Sequence, residues 1–157
     1  MKKYGLLAIV LLMTGLTGSS ALYAHCEIPC GIYQDQLRIE MIREHITTVE
    51  KSMNEITRLA GETPVNYNQL VRWIDNKETH ADYIQEIVAQ YFLTQRIKPE
   101  QENYTAKLAV LHQMLVSAMK CKQSLDLANI AALREQTDKF VALYFSAAEQ
   151  EHLKEHK

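Results

Sequence analysis

Asp35-Gln36-Leu37-Arg38-Ile39-Glu40-Met41-Ile42-Arg43-Glu44-His45-Ile46 opens a run that meets neither glycine nor proline until Gly61. Through it Leu37, Met41, His45, Val49, Met53, Ile56 and Ala60 recur at steps of three and four residues. That is the spacing of one face of a helix, and Ile39, Ile42 and Ile46 widen the apolar stripe. The pattern predicts a helix from 34 to about 60, stopped by Gly61 and Thr63-Pro64.

The same period continues downstream. From Asn66, a candidate N-cap, a second segment runs to about Arg96 through Leu70, Trp73, Ile74, Ala81, Ile84, Val88, Tyr91 and Phe92. Pro99 is expected to start a third helix, with Glu100 and Glu102 near the positive end of its dipole. Tyr104, Leu108, Leu111, Leu115 and Met119 would carry its stripe. A fourth helix runs from about Asp126 through Ile130, Leu133, Phe140, Val141 and Tyr144, then frays into a polar tail. No segment alternates with a period of two. Residues 34–157 therefore read as an all-α, up-down four-helix bundle.

Bulk properties agree. The 157 residues suit one domain and one core, and five glycines with three prolines favour long helices with few turns. Removing Lys2 and Lys3 with a leader leaves 15 basic against 19 acidic residues, a net of −4. Nucleic-acid binders carry clustered positive charge, so that class of partner is excluded.

Upstream of the bundle the chain changes character. Residues 1–24 read as a signal peptide: Lys2 and Lys3 as the positive start, Leu6 to Leu16 as the apolar centre, Gly18 to Ala24 as the small-residue end. The mature protein is then exported, periplasmic or secreted, and a signal-processing protease is an implied partner. Cleavage after Ala24 exposes His25, whereas cleavage after Ala21, with Ser19 behind it, fits the small-x-small rule better. Leader statistics and the chemistry that follows differ by three residues, and the chemistry favours His25.

That chemistry lies in His25-Cys26-Glu27-Ile28-Pro29-Cys30-Gly31-Ile32-Tyr33. A short polar loop has no core-building use for two thiols, an imidazole, a proline and a glycine. With His25 first, its amine, the Cys26 amide nitrogen and the two thiolates can form a planar N2S2 set. Tetragonal, nitrogen-rich geometry favours Cu(II) or Ni(II) over zinc. Two cysteines four apart in an exported chain are also a disulfide candidate, although the neighbouring amine favours metal ligation.

At these residues the chain resembles the nickel-containing superoxide dismutases. The hook, residues 25–33, matches at His25, Cys26, Pro29, Cys30, Gly31 and Tyr33. The likeness continues through Tyr91-Phe92-Leu93-Thr94-Gln95-Arg96-Ile97-Lys98-Pro99 and Leu111-His112-Gln113. The resemblance implies an enzyme that converts superoxide to dioxygen and hydrogen peroxide, with one nickel per subunit cycling between Ni(II) and Ni(III). It implies that His25, Cys26 and Cys30 are the metal ligands, with the His25 imidazole axial. It also implies Tyr33 at the mouth of the site, counted with the three ligands as catalytic, a Pro29 turn between the thiolates, and a homohexamer. Glu40 is the candidate to hold the histidine ring, and Arg72 or Lys77 stand in for a supporting arginine. The alternative is a non-catalytic periplasmic bundle that sequesters nickel or copper with the same ligands.

The other candidates have plainer readings. Cys121, between Lys120 and Lys122, reads as a buried or half-exposed free thiol. His45 and His112 read as interior histidines, and His80 as part of a surface charge cluster. His152 and His156 read as a solvated face, and Trp73, Tyr91 and Phe92 as core or subunit interface.

Overall fold

The expectation of one long first helix is met. In the computed structural model, which describes residues 33–155, α1 runs Asp35–Ala60 and ends at Gly61. Asn66 caps α2, Tyr67–Glu86, by accepting a hydrogen bond from the Gln69 amide at 3.2 Å. The chain then passes directly into a π-helical stretch, Ile87–Arg96, which no 3.6-residue pattern anticipates. Helix α3 spans Tyr104–Gln123, α4 spans Ala128–Tyr144, and a short α5 covers Ala147–Glu155. Of the hook, only Tyr33 falls within the described residues.

Each of the first four helices packs on its neighbour in sequence, and α4 closes back on α1. With short links, that ring is the expected up-down bundle. Its core holds Ile39, Ile42, Ile46, Val49 and Met53 from α1, facing Ala81 and Ile84, Leu111 and Met114, and Ile130, Leu133 and Phe140. Burying each large apolar side chain stabilises the fold by about 1.5–3 kcal/mol. The centre of the α1 stripe is the isoleucine row rather than Leu37, which is 43% exposed. The stripe of α3 is likewise offset: Val110, Leu111, Met114, Ala118 and Cys121 are buried, Leu108 and Leu115 flank them, and Met119 is exposed.

Two boundaries differ from the sequence reading. Pro99 does not open α3. It lies in a turn held by Gln101, whose side chain accepts from the Lys98 amide at 3.2 Å and donates to the Arg96 carbonyl at 3.0 Å. Asn103 then takes the left-handed conformation, φ 57°, which asparagine tolerates, and the helix starts after it. The polar tail does not fray either. Leu153 is 1% exposed, and Arg43 Nη1 donates to its carbonyl at 3.2 Å, so α5 is docked on α1. Among the described residues, no helix is long and apolar enough to cross a membrane.

Candidate functional site

The chain enters the bundle at Tyr33 and Gln34, and what holds that entry defines the best-built polar site of the described residues. Asp35, in the first turn of α1, receives three side chains at once. Arg96 clasps it through Nε, 2.9 and 3.1 Å from the two carboxylate oxygens, and Nη2 at 2.7 Å. The Tyr91 hydroxyl donates to Oδ1 at 2.5 Å, and the Tyr144 hydroxyl donates to Oδ2 at 2.7 Å. The Gln34 amide in turn donates to Tyr91 Oη at 2.9 Å, which ties the backbone to the cluster just before the helix begins.

The π-helical stretch makes this possible. Tyr91 and Arg96 are five residues apart, and on an α-helix that spacing separates side chains by roughly 140°. Bonds to the fifth residue back, such as Ile97 N to Phe92 O at 3.0 Å, bring the two onto one side. Beneath them Phe92 meets Phe140 and Tyr144 edge-on, at 4.9 and 5.7 Å between ring centroids. That packing anchors the cluster to the core.

Electrostatics follow from the hydrogen bonds. Burial alone would raise the Asp35 carboxyl, but the donors Arg96, Tyr91 and Tyr144 outweigh it and hold it below the usual carboxylate range. Burial and the Asp35 charge push the Tyr91 phenol up to about 12 and move Tyr144 the same way. Asp35 is therefore a fixed anion, and the two tyrosines are fixed donors.

Tyr33 lies over this cluster. The Arg96 guanidinium stands 4.1 Å from its ring centroid, and Tyr91 meets it edge-on at 6.0 Å. Tyr33, Leu37, Glu40 and Arg96 line an open cleft of ≈ 480 Å³, whose far wall includes Glu149 and His152 of α5. Glu40 also borders a second cleft between α1 and α4, and it forms no ion pair among the described residues. Pro29, His25, Cys26 and Cys30 lie outside the described residues. Among those described, no group of three or more His, Cys, Asp or Glu side chains could hold a metal ion.

Several sequence candidates take other roles. Lys77 is buried: its Nζ donates to the Cys121 carbonyl at 3.0 Å and to the Lys122 carbonyl, capping the end of α3, and pairs with Glu78. Arg72 is exposed on α2. Neither belongs to the Tyr33 cleft. His112 is exposed rather than interior, because the core-facing side of α3 runs through Leu111 and Met114. His80 is not a simple surface charge: its Nδ1 lies 2.9 Å from Nδ1 of half-buried His45, with Tyr83 against both rings. Burial, and then the neighbouring His80, lower the pKa of His45. Cys121 is the buried free thiol expected, and burial pushes it up to about 11. Tyr91 and Phe92 are core residues, whereas Trp73 is only half-buried, 5.7 Å beneath Lys51. His152 is exposed in the cleft, and His156 lies outside the described residues.

Asp35, Arg96 and Tyr144 escaped the sequence reading as site residues. Tyr91 and Arg96 did lie inside the stretch 91–99 quoted for its likeness. On an α-helical period the two fall on different sides, so their pairing leaves no signal in the sequence.

A family model described as nickel-containing superoxide dismutase matches residues 20–148. No curated protein and no solved structure gives a significant match. The matched span takes in the whole hook and the Asp35 cluster, and it stops just inside α5.

Proposed function

The chain belongs to the nickel-containing superoxide dismutase family, and from that premise we propose how its own residues carry the reaction. It is a superoxide dismutase of the nickel type. The family match favours this enzyme over a bundle that only sequesters metal. Two superoxide anions and two protons yield one dioxygen and one hydrogen peroxide.

In this reading His25, Cys26 and Cys30 hold one nickel per subunit, through the His25 amine and imidazole, the Cys26 amide and the two thiolates. The donor set fits: thiolate and deprotonated amide are strong anionic donors, and thiolates with nitrogen donors would suit nickel. When bound, nickel supplies a Ni(II)/Ni(III) couple that one superoxide can reduce and the next re-oxidise. The anionic donors of Cys26 and Cys30 would bring the higher state within reach, and the His25 imidazole would add to that preference. Glu40 accepts a hydrogen bond from the imidazole and fixes its orientation, as a ligating histidine requires. Its place in the cleft beside Tyr33, without an ion pair among the described residues, supports that role. Pro29 holds the turn between the thiolates. Tyr33 offers its hydroxyl to small anions or water at the mouth of the site, and its position on the cleft wall supports this.

Residues 1–24 direct export, and a signal-processing protease exposes His25, so nickel is loaded outside the cytoplasm. Assembly into a homohexamer would shield the thiolates from bulk water and from the oxidation that peroxide otherwise causes.

The observation that carries this reading is that the family match, residues 20–148, spans His25, Cys26, Cys30, Tyr33 and Glu40. The test is nickel content and superoxide consumption in wild-type protein, Cys26→Ser and Cys30→Ser, with helix content followed by circular dichroism. Both variants should lose nickel and activity and keep their helices. Dismutation retained in either would refute the ligand set.

A further inference from the structure

We infer that Arg96 is a positioning residue of this enzyme, holding the Tyr33 ring in place through a guanidinium that Asp35 keeps fixed. The inference rests on the reading of Tyr33 as the residue at the mouth of the metal site. One edge of the guanidinium, Nε and Nη2, is committed to Asp35 at 2.7 to 3.1 Å. That commitment leaves its flat face for the Tyr33 ring, 4.1 Å away from Cζ to centroid. A cation over an aromatic face is attractive at this range. Tyr91 supports the ring from another side, edge-on at 6.0 Å, and is itself bonded to Asp35 and to the Gln34 amide.

Two features separate this contact from ordinary packing. Tyr33 is 40% exposed, so stacking on Arg96 adds little to the core. The Asp35 cluster would also stay closed without the stacked ring, because Tyr91, Tyr144 and Arg96 each bond to Asp35 directly. The contact therefore orders an exposed ring that stands only three residues after Cys30. Long-range attraction of the superoxide anion is a poor account of Arg96, because Asp35 neutralises its charge at contact distance. Lysine could keep that charge but has neither the fork nor the flat face.

The test uses full-length, nickel-loaded mature protein carrying Arg96→Lys, Arg96→Met, Tyr33→Ala and the doubles with Tyr33→Ala. Arg96→Lys and Arg96→Met should each lower kcat/KM for superoxide about tenfold, as misplaced groups near a reacting centre do. Nickel content should hold in both, and in Arg96→Lys, which keeps the positive charge opposite Asp35, the dependence of kcat/KM on ionic strength should match wild type. In the Tyr33→Ala background the Arg96 changes should cost nothing further, since both act through one ring. Ring-labelled tyrosine NMR should show the Tyr33 signal become motionally averaged in both Arg96 variants, with or without nickel. Full activity in Arg96→Lys, or losses that multiply independently, would overturn the inference. If Tyr33→Ala itself has wild-type kinetics, the reading of Tyr33 falls, and the positioning role falls with it. If Tyr33→Ala is impaired while both Arg96 variants are unimpaired, only the positioning role falls. Should Arg96→Met not fold, Arg96→Lys keeps a cation opposite Asp35 and decides the question.

Discussion

Tyr91 and Arg96 converge on the single carboxylate of Asp35, although five residues separate them on one helical element. The π-helical winding of Ile87–Arg96 is what allows it, and π turns recur at functional sites. Here the convergence pins the first turn of α1, the point at which the bundle receives the hook segment of the chain.

Replacing Asp35 should therefore unlock that entry. Asp35→Asn removes the charge opposite half-buried Arg96 and weakens the hydrogen bonds from Arg96, Tyr91 and Tyr144, so unfolding free energy should drop by about 2–4 kcal/mol. Tyr144→Phe removes one of the three donors and should cost about 1 kcal/mol. Because the folded Asp35 pKa lies below 3.8, its contribution is fully present above that value and is lost only as pH falls further, through the folded pKa. Urea unfolding from pH 7 to pH 3 checks both statements. A wild-type midpoint for Asp35→Asn would show that the cluster does not hold the entry.

The His45–His80 contact sets a different pH window. Burial and His80 hold His45 below its ordinary 6.5, so between the folded pKa and 6.5 the unfolded chain binds more protons. Stability from this group is complete above pH 6.5 and declines as pH falls below it. His45→Gln should flatten the decline, read as the urea midpoint between about pH 7.5 and 5. Parallel curves for wild type and variant would assign the decline to other groups.

Helix α5 should be the least secure element. It is held by Leu153 in the core and by Arg43 on the Leu153 carbonyl. Leu153→Ala should cost about 2 kcal/mol, at the low end for a buried leucine because a terminal helix can simply undock. Amide exchange over 147–155 should accelerate strongly, with exchange in α1 to α4 little changed. Unchanged protection in 147–155 would show that other contacts hold α5.

Buried Cys121 should be inert at neutral pH, since its thiol is pushed up to about 11 and the reactive species is the thiolate. Thiol labelling of folded protein should leave Cys121 unmodified, whereas urea should expose it. Rapid labelling in the native state would contradict the buried placement.

The long helices were legible because a repeating face and Gly61 with Pro64 mark where α1 begins and ends. The hook was legible for another reason: ligand chemistry is carried by residue type and order, which need no fold to read. The Asp35 cluster was not legible. Reading Asp35 as a first-turn acid explains it without a partner, and the α-helical period puts Tyr91 and Arg96 on different sides. Helix α5 was missed because a single buried leucine among polar residues gives no periodic signal. The α3 boundary was missed because Pro99 fits a first helical turn, and only the left-handed Asn103 places the start at Tyr104.

The N-terminus of the nickel-loaded, active protein tests the central claim most directly. Edman sequencing or top-down mass spectrometry should find His25 as the first residue, its amine free to bind metal alongside Cys26 and Cys30. An enzyme that dismutes superoxide at full rate while beginning at Leu22 or earlier would contradict that ligand set.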